Sequence, residues 1–173
     1  MRNEKIVQKF GEHFVALIFE NLGYSVDVID AEGIDLMCYS ECVSYGVSVK
    51  TRNIQQNSNN SINLTWNDIV YSYEQTKLRS GEDVLYAFVI SDLERISVFI
   101  FTQQYMFEHY FVKKKIKNID EYMGAFTNKP NKKDKATGST QGIDNGDRAK
   151  SKWKQLYENK VDGIIFAAAY DNK

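Results

Sequence analysis

Proline occurs once in this chain, at Pro130, and cysteine twice, at Cys38 and Cys42. With only His13 and His109 beside them, the cysteines match no zinc-binding spacing, so they are expected to be buried or idle thiols and no structural zinc is implied. No run approaches the roughly 18 to 20 consecutive apolar residues that a membrane-spanning helix needs. The charged start, Met1 to Lys5, leads into an amphipathic helix rather than a signal peptide. The expected location is therefore cytosolic, with no membrane contact. The glycines form neither a GxGxxG fingerprint nor a P-loop, which leaves a nucleotide cofactor unsupported. No internal repeat is visible.

What is present suffices for one ordinary domain: 173 residues, 43% hydrophobic and 13% aromatic. The net charge of −1 conceals an uneven distribution. Residues 1–112 carry 8 basic and 15 acidic side chains, residues 113–135 carry 8 and 3, and the remainder 6 and 5. The expected organisation is a core domain over 1–112, a lysine-rich flexible loop or insertion over 113–147, and a helix and strand over 148–173 packed on the same domain. The lysine-rich segment, which includes Lys113, Lys114 and Lys115, has the charge to gather phosphates, as a nucleic-acid footprint does, or to form a solvated loop.

Along the chain, Asn3 to Leu22 has helical periodicity, with Ile6, Phe10, Phe14, Leu17 and Ile18 on one arc and Gly23 as its stop. Glu12 falls opposite the centre of that arc, where a solvated glutamate belongs. Tyr24 to Ile29 alternates as a strand. Two further alternating runs, Gly33 to Tyr39 and Val47 to Arg52, flank the turn-prone Ser40 to Gly46 and predict an antiparallel hairpin. Asn53 to Asn63 reads as an exposed amide-rich loop. Thr65-Trp66-Asn67-Asp68 has the form of a capping box opening a helix that ends near Ser80-Gly81. Strands are expected at Val84 to Ile90, buried on both faces, and at Ile96 to Phe101. A short helix over Gln103 to Val112, a helix over Ala149 to Asn159 and a strand over Gly163 to Ala169 complete the reading.

Within the hairpin, Ser48, Lys50 and Arg52 share one face of their strand, and pairing with the first run is expected to set Asp35 beside Lys50. Glu12 on the first helix, Gly23-Tyr24 at its end, Gly33-Ile34-Asp35 and Ser48-Val49-Lys50 follow in the order seen in the PD-(D/E)XK nuclease superfamily. Over residues 5–90 the chain resembles that superfamily, and its branch of archaeal Holliday junction resolvases in particular. The resemblance implies an α/β fold of restriction-endonuclease type, an αβββαβ core whose central mixed sheet is flanked by helices.

It also implies a chemistry: hydrolysis of DNA phosphodiester bonds with Mg²⁺ or Mn²⁺. By resemblance, Asp35 and the backbone carbonyl of Val49 would ligate the ion, and Glu12 would complete the shell or hold a second one. Lys50 would orient the attacking water or stabilise the charged transition state. Ser48 stands where the superfamily usually has Glu, so one negative ligand is replaced by a neutral hydroxyl and affinity for the ion should be lower. Glu41 cannot replace it, lying ~20 Å from Asp35 at about 3.3 Å per residue of strand. Thr51 and Arg52 follow the proposed metal site and are candidate phosphate contacts, together with Lys113 to Lys115. A homodimer would suit a cut through two strands. The alternatives are a nuclease fold kept for binding nucleic acid or protein without catalysis, and a protein-interaction domain whose acidic first 112 residues repel nucleic acid.

Overall fold

The computed structural model describes residues 2–53, 61–91, 95–109, 111–116, 119–127 and 164–171. Helix α1 (Arg2–Asn21) is followed by strands β1 (Ser25–Ala31), β2 (Ile34–Tyr39) and β3 (Ser44–Asn53). After β4 (Ser61–Leu64) come helix α2 (Trp66–Leu78), β5 (Asp83–Ser91) and β6 (Arg95–Thr102). Helix α3 (Gln103–His109), β7 (Phe111–Ile116), β8 (Ile119–Thr127) and β9 (Ile164–Asp171) complete the order. The α/β class and the αβββαβ core order expected from the sequence are observed, with β4 inserted before α2.

Six strands form the main sheet in the order β1-β2-β3-β5-β6-β9. All neighbours are antiparallel except β3 and β5, which run parallel, so the sheet is mixed. A parallel neighbour requires a crossover, and α2 lies on that path. Val84 to Ile90 are all buried, as the unbroken apolar run of a strand covered on both faces predicts.

Alternation along β3 separates the two helices. Val47 and Val49 join Val15, Ala16 and Phe19 of α1 in one core with Leu36, Leu85, Val89 and Ile100. Gly46, of opposite parity, lies against Thr76 of α2. The α2 side also contains the aromatic group Phe88, Phe101 and Tyr105, with ring centroids 5.9 and 5.2 Å apart. Among the described residues no helix is long and apolar enough to cross a membrane.

Gly23 closes α1 at φ 89°, while Tyr24 N–H donates back to Phe19 C=O across the turn. Which face α1 buries differs from the expectation. Gly11, Glu12, Val15, Ala16, Ile18 and Phe19 are buried, whereas Ile6, Phe10 and Leu17 are 66, 44 and 51% exposed. Apolar residues surround much of this helix, so hydrophobic periodicity alone does not choose its inner face. Gly11 does: a methyl group there would overlap Thr51 Oγ1, and its absence lets the helix backbone settle onto β3. Glu12, the next residue, is thereby carried inward.

The second correction concerns the outlying strands. β4 lies in a stretch expected as loop, and β7 and β8 lie in one expected as a lysine-rich loop. The three form a separate antiparallel sheet in the order β4-β8-β7. Leu64 of β4 is 2% exposed, so the amide-rich segment ends in a residue with a core to join. Lys113, Lys114 and Lys115 stand at register positions opposite Tyr122, Glu121 and Asp120 on an edge strand, where lysines commonly discourage further pairing. A domain boundary at residue 112 therefore falls inside β7. The expected C-terminal strand is β9, paired with β6, and the expected helix at 149–159 lies outside the described residues.

Candidate active site

The hairpin of β2 and β3 sets the site's geometry. Its ladder pairs Leu36 with Val47 and ends there. Continued by one residue, the register brings Asp35 level with Ser48, and the Asp35 carboxylate reaches one residue further, accepting the Val49 N–H at 2.6 Å through Oδ2. Asp35 is thus bonded to the backbone of β3 rather than set directly beside Lys50. Three further charges act on it from a distance. Partial burial is the main reason the Asp35 carboxyl is pushed up to about 6; the Val49 N–H opposes this, Glu12 adds to it, and Lys50 and then Lys9 oppose it more weakly.

Glu12, which the helical wheel alone would place in solvent and the resemblance would place at the metal, is 2% exposed. One of its oxygens, Oε2, accepts from Lys9 Nζ at 2.8 Å, while the other, Oε1, is buried without a hydrogen-bond partner. Ser48 Oγ and Thr51 Oγ1 are likewise buried and unpartnered. Leaving such atoms dry and unpaired costs on the order of 1–3 kcal/mol each, so a concentration of them around one strand segment requires a reason. Ser48 and Thr51 lie within two residues of Lys50 on β3, and Glu12 acts electrostatically on Asp35.

Lys50 is accounted for differently. Its ammonium donates to Asp68 Oδ1 at 3.2 Å, across to the first turn of α2. The capping box read from the sequence is formed: Thr65 N–H and Thr65 Oγ1 both donate to Asp68 Oδ2, at 2.8 and 2.7 Å, and Asp68 N–H donates to Thr65 Oγ1 at 3.2 Å. Partial burial acts to raise the Asp68 carboxyl, but the Thr65 bonds and Lys50 together hold it below its ordinary value. Gly33, at φ 95°, lies against the backbone of Tyr71 and Ser72, where a side chain would not fit, and this contact holds α2 close to the start of β2. Asp68 was legible as a cap; its ion pair with a residue 18 positions away has no local sequence signal.

The remaining expected residues divide. Arg52 is half-buried at the end of β3, whereas the Thr51 hydroxyl oxygen is buried against Gly11 and is not presented to an external phosphate. Lys113 to Lys115 belong to the second sheet. Cys38 lies in the core beneath α1, where burial pushes its thiol up to about 12, far from a reactive thiolate.

The donor set around Asp35 has the chemistry of a site for a hard divalent ion. Two carboxylates, one serine hydroxyl and the β3 backbone offer oxygen only, and Glu12 Oε1 and Ser48 Oγ have unused acceptor capacity. That composition fits Mg²⁺ or Mn²⁺ with several retained waters better than zinc. Among the described residues no three His, Cys, Asp or Glu side chains gather in one place, so the set has two acidic side chains where a stronger site has three. No family model matches the chain, and no curated protein matches it. Among solved structures it is similar to Hjc, a Holliday junction resolvase from the archaeal hyperthermophile Archaeoglobus fulgidus, with a TM-score of 0.45 and 8% identity over 64% of this chain and 84% of that one.

Proposed function

We propose that this protein is a metal-dependent nuclease that hydrolyses DNA phosphodiester bonds. The observation that carries the reading is the pair of buried, unpartnered oxygens, Glu12 Oε1, whose carboxylate acts electrostatically on Asp35, and Ser48 Oγ, level with Asp35 in the extended strand register, together with an Asp35 carboxylate fixed by the Val49 N–H. Asp35, Glu12 and the Val49 carbonyl would hold Mg²⁺ or Mn²⁺, with Ser48 acting through water. When bound, the ion would stabilise charge on the scissile phosphate and lower the pKa of a ligated water.

The chain's own residues then have distinct tasks. Asp35, with its carboxyl near 6, is mostly ionised at neutral pH and available as a ligand. Lys50 presents a cation beside the reacting phosphate, where a fixed positive charge favours the more negative transition state. Arg52 and the lysines of β7 are the candidate contacts to the DNA backbone, offsetting the 15 acidic side chains of residues 1–112. The test is incubation of supercoiled and branched DNA with Mg²⁺ or Mn²⁺. Nicking by wild type that falls by on the order of 10²-fold or more in Lys50→Ala supports the reading, on the scale of losing a preorganised charge-stabilising donor. Equal rates in the two proteins contradict it.

A second reading has its own observation. With two carboxylates and Ser48 in the remaining place, the fold would serve as a DNA-binding module that no longer cuts. Intact DNA together with binding that weakens steeply as salt rises would favour that reading. No DNA binding at any salt would leave a protein-interaction domain.

A further inference from the structure

Among the described residues the Lys50 ammonium bonds one side chain, Asp68, and it comes from neither strand of the hairpin. Asp68 belongs to the first turn of α2, the positive end of that helix, which by itself would repel an ammonium group. Thr65 holds Asp68 Oδ2 with two donors, its backbone N–H and its hydroxyl, and this fixes the carboxylate so that Oδ1 faces Lys50. Both members of the pair remain about 30% exposed, Lys50 at 30% and Asp68 at 29%. An ion pair so exposed adds little to stability. It does restrict a long, flexible side chain to one place while leaving it partly exposed.

We infer that Asp68 is the positioning residue for Lys50, holding its ammonium at the end of β3 against the repulsion of the α2 N-terminus. The consequence for cleavage rests on the nuclease reading above. Without the carboxylate, Lys50 faces the positive helix end and disperses into solvent, and the charge it supplies no longer coincides with the reacting phosphate. The capping box thus does two things with one side chain: it starts α2, and it converts a mobile lysine into an oriented one.

The test compares Asp68→Asn, Asp68→Glu and Thr65→Ala in the full chain. Asp68→Asn retains an acceptor for Thr65 but loses the charge; kcat should fall roughly 30- to 100-fold with KM for DNA within about threefold, the scale of a displaced catalytic group. Mn²⁺ affinity should be unchanged, and Asp68→Glu should recover most of the rate. Thr65→Ala, which removes the hydroxyl donor to Asp68 Oδ2 but keeps the backbone N–H and the charge, should lower kcat by less than Asp68→Asn does, roughly two- to tenfold. In a Lys50→Ala background Asp68→Asn should have no further effect. A normal kcat in Asp68→Asn, additive losses in the double variant, or lost Mn²⁺ binding would each overturn the inference, the last by making Asp68 a ligand. If wild type does not cut DNA, the nuclease reading fails by itself, and nitrogen-15 NMR of the Lys50 ammonium decides the positioning. An ordered signal in wild type that is lost in Asp68→Asn supports it, and the same signal in both overturns it.

Discussion

Strand β3 meets both helices through the same pair of residue types. On one face Gly11 of α1 lies against Thr51 of β3; on the other Gly46 of β3 lies against Thr76 of α2, and at each a methyl group on the glycine would overlap the threonine hydroxyl. The two contacts differ in what becomes of the hydroxyl. Thr76 Oγ1 donates to Ser72 C=O at 2.7 Å, closing a network in which Ser72 Oγ also bonds Tyr86 OH at 3.0 Å. Thr51 Oγ1 is buried with no partner, and Glu12 Oε1, beside Gly11, shares that condition. The same packing device therefore leaves the Thr76 and Ser72 hydroxyls bonded at one end of β3, and the Thr51 hydroxyl and Glu12 Oε1 unpartnered at the other, the end that the proposed function uses. Unsatisfied buried oxygens distinguish the two ends better than shape does.

The two glycines give the sharpest way to separate scaffold from site. Gly11→Ala and Gly46→Ala should each lose about 1–3 kcal/mol in urea denaturation through overpacking. Only Gly11→Ala should also weaken Mn²⁺ binding, by on the order of 10-fold, because it displaces Glu12. Equal metal affinity in the two variants would break the comparison.

Asp35 should reveal the site end through pH. Its folded carboxyl titrates near 6 against an ordinary 3.8, so between these values the folded state binds more protons than the unfolded one. Stability should then fall as pH rises from about 4 to about 6, by on the order of 2–3 kcal/mol, and remain lowered above that window. Asp35→Asn should flatten this slope and be the more stable protein at pH 7, as read from denaturant midpoints across pH. Saturating Mn²⁺ should oppose the loss in wild type, since it binds the folded, ionised form.

Smaller effects are expected at the two orphaned hydroxyls. Ser48→Ala should raise stability by about 1 kcal/mol, because it removes an unpaired buried group, while reducing metal affinity. Thr51→Val, which keeps shape and removes the hydroxyl, should be stabilising by less than about 1 kcal/mol and leave metal affinity alone. Loss of stability in Ser48→Ala would mean that the hydroxyl has a structural partner in solution.

Strand alternation, helix stops and the Thr65 capping box were readable because they depend on neighbours a few residues apart. Register was not: the hairpin pattern suggested Asp35 beside Lys50, but Leu36 pairs with Val47 and sends the Asp35 carboxylate to the Val49 N–H. The burial of Glu12 was missed because the many apolar residues of α1 allow more than one inner face, and the choice depends on how closely Gly11 lets the helix approach. The lysine run concealed β7 because charge outweighed the flanking Phe111, Val112 and Ile116 in the reading. The Lys50–Asp68 pair is non-local, and no periodicity reports it.

The central claim, that the unsatisfied end of β3 is a divalent-ion site anchored on Asp35, is most directly tested by calorimetric titration of Mn²⁺ into wild type and Asp35→Ala. Binding by wild type that disappears in Asp35→Ala is the expected result. No heat from wild type at millimolar Mn²⁺, or the same affinity in both proteins, would contradict it.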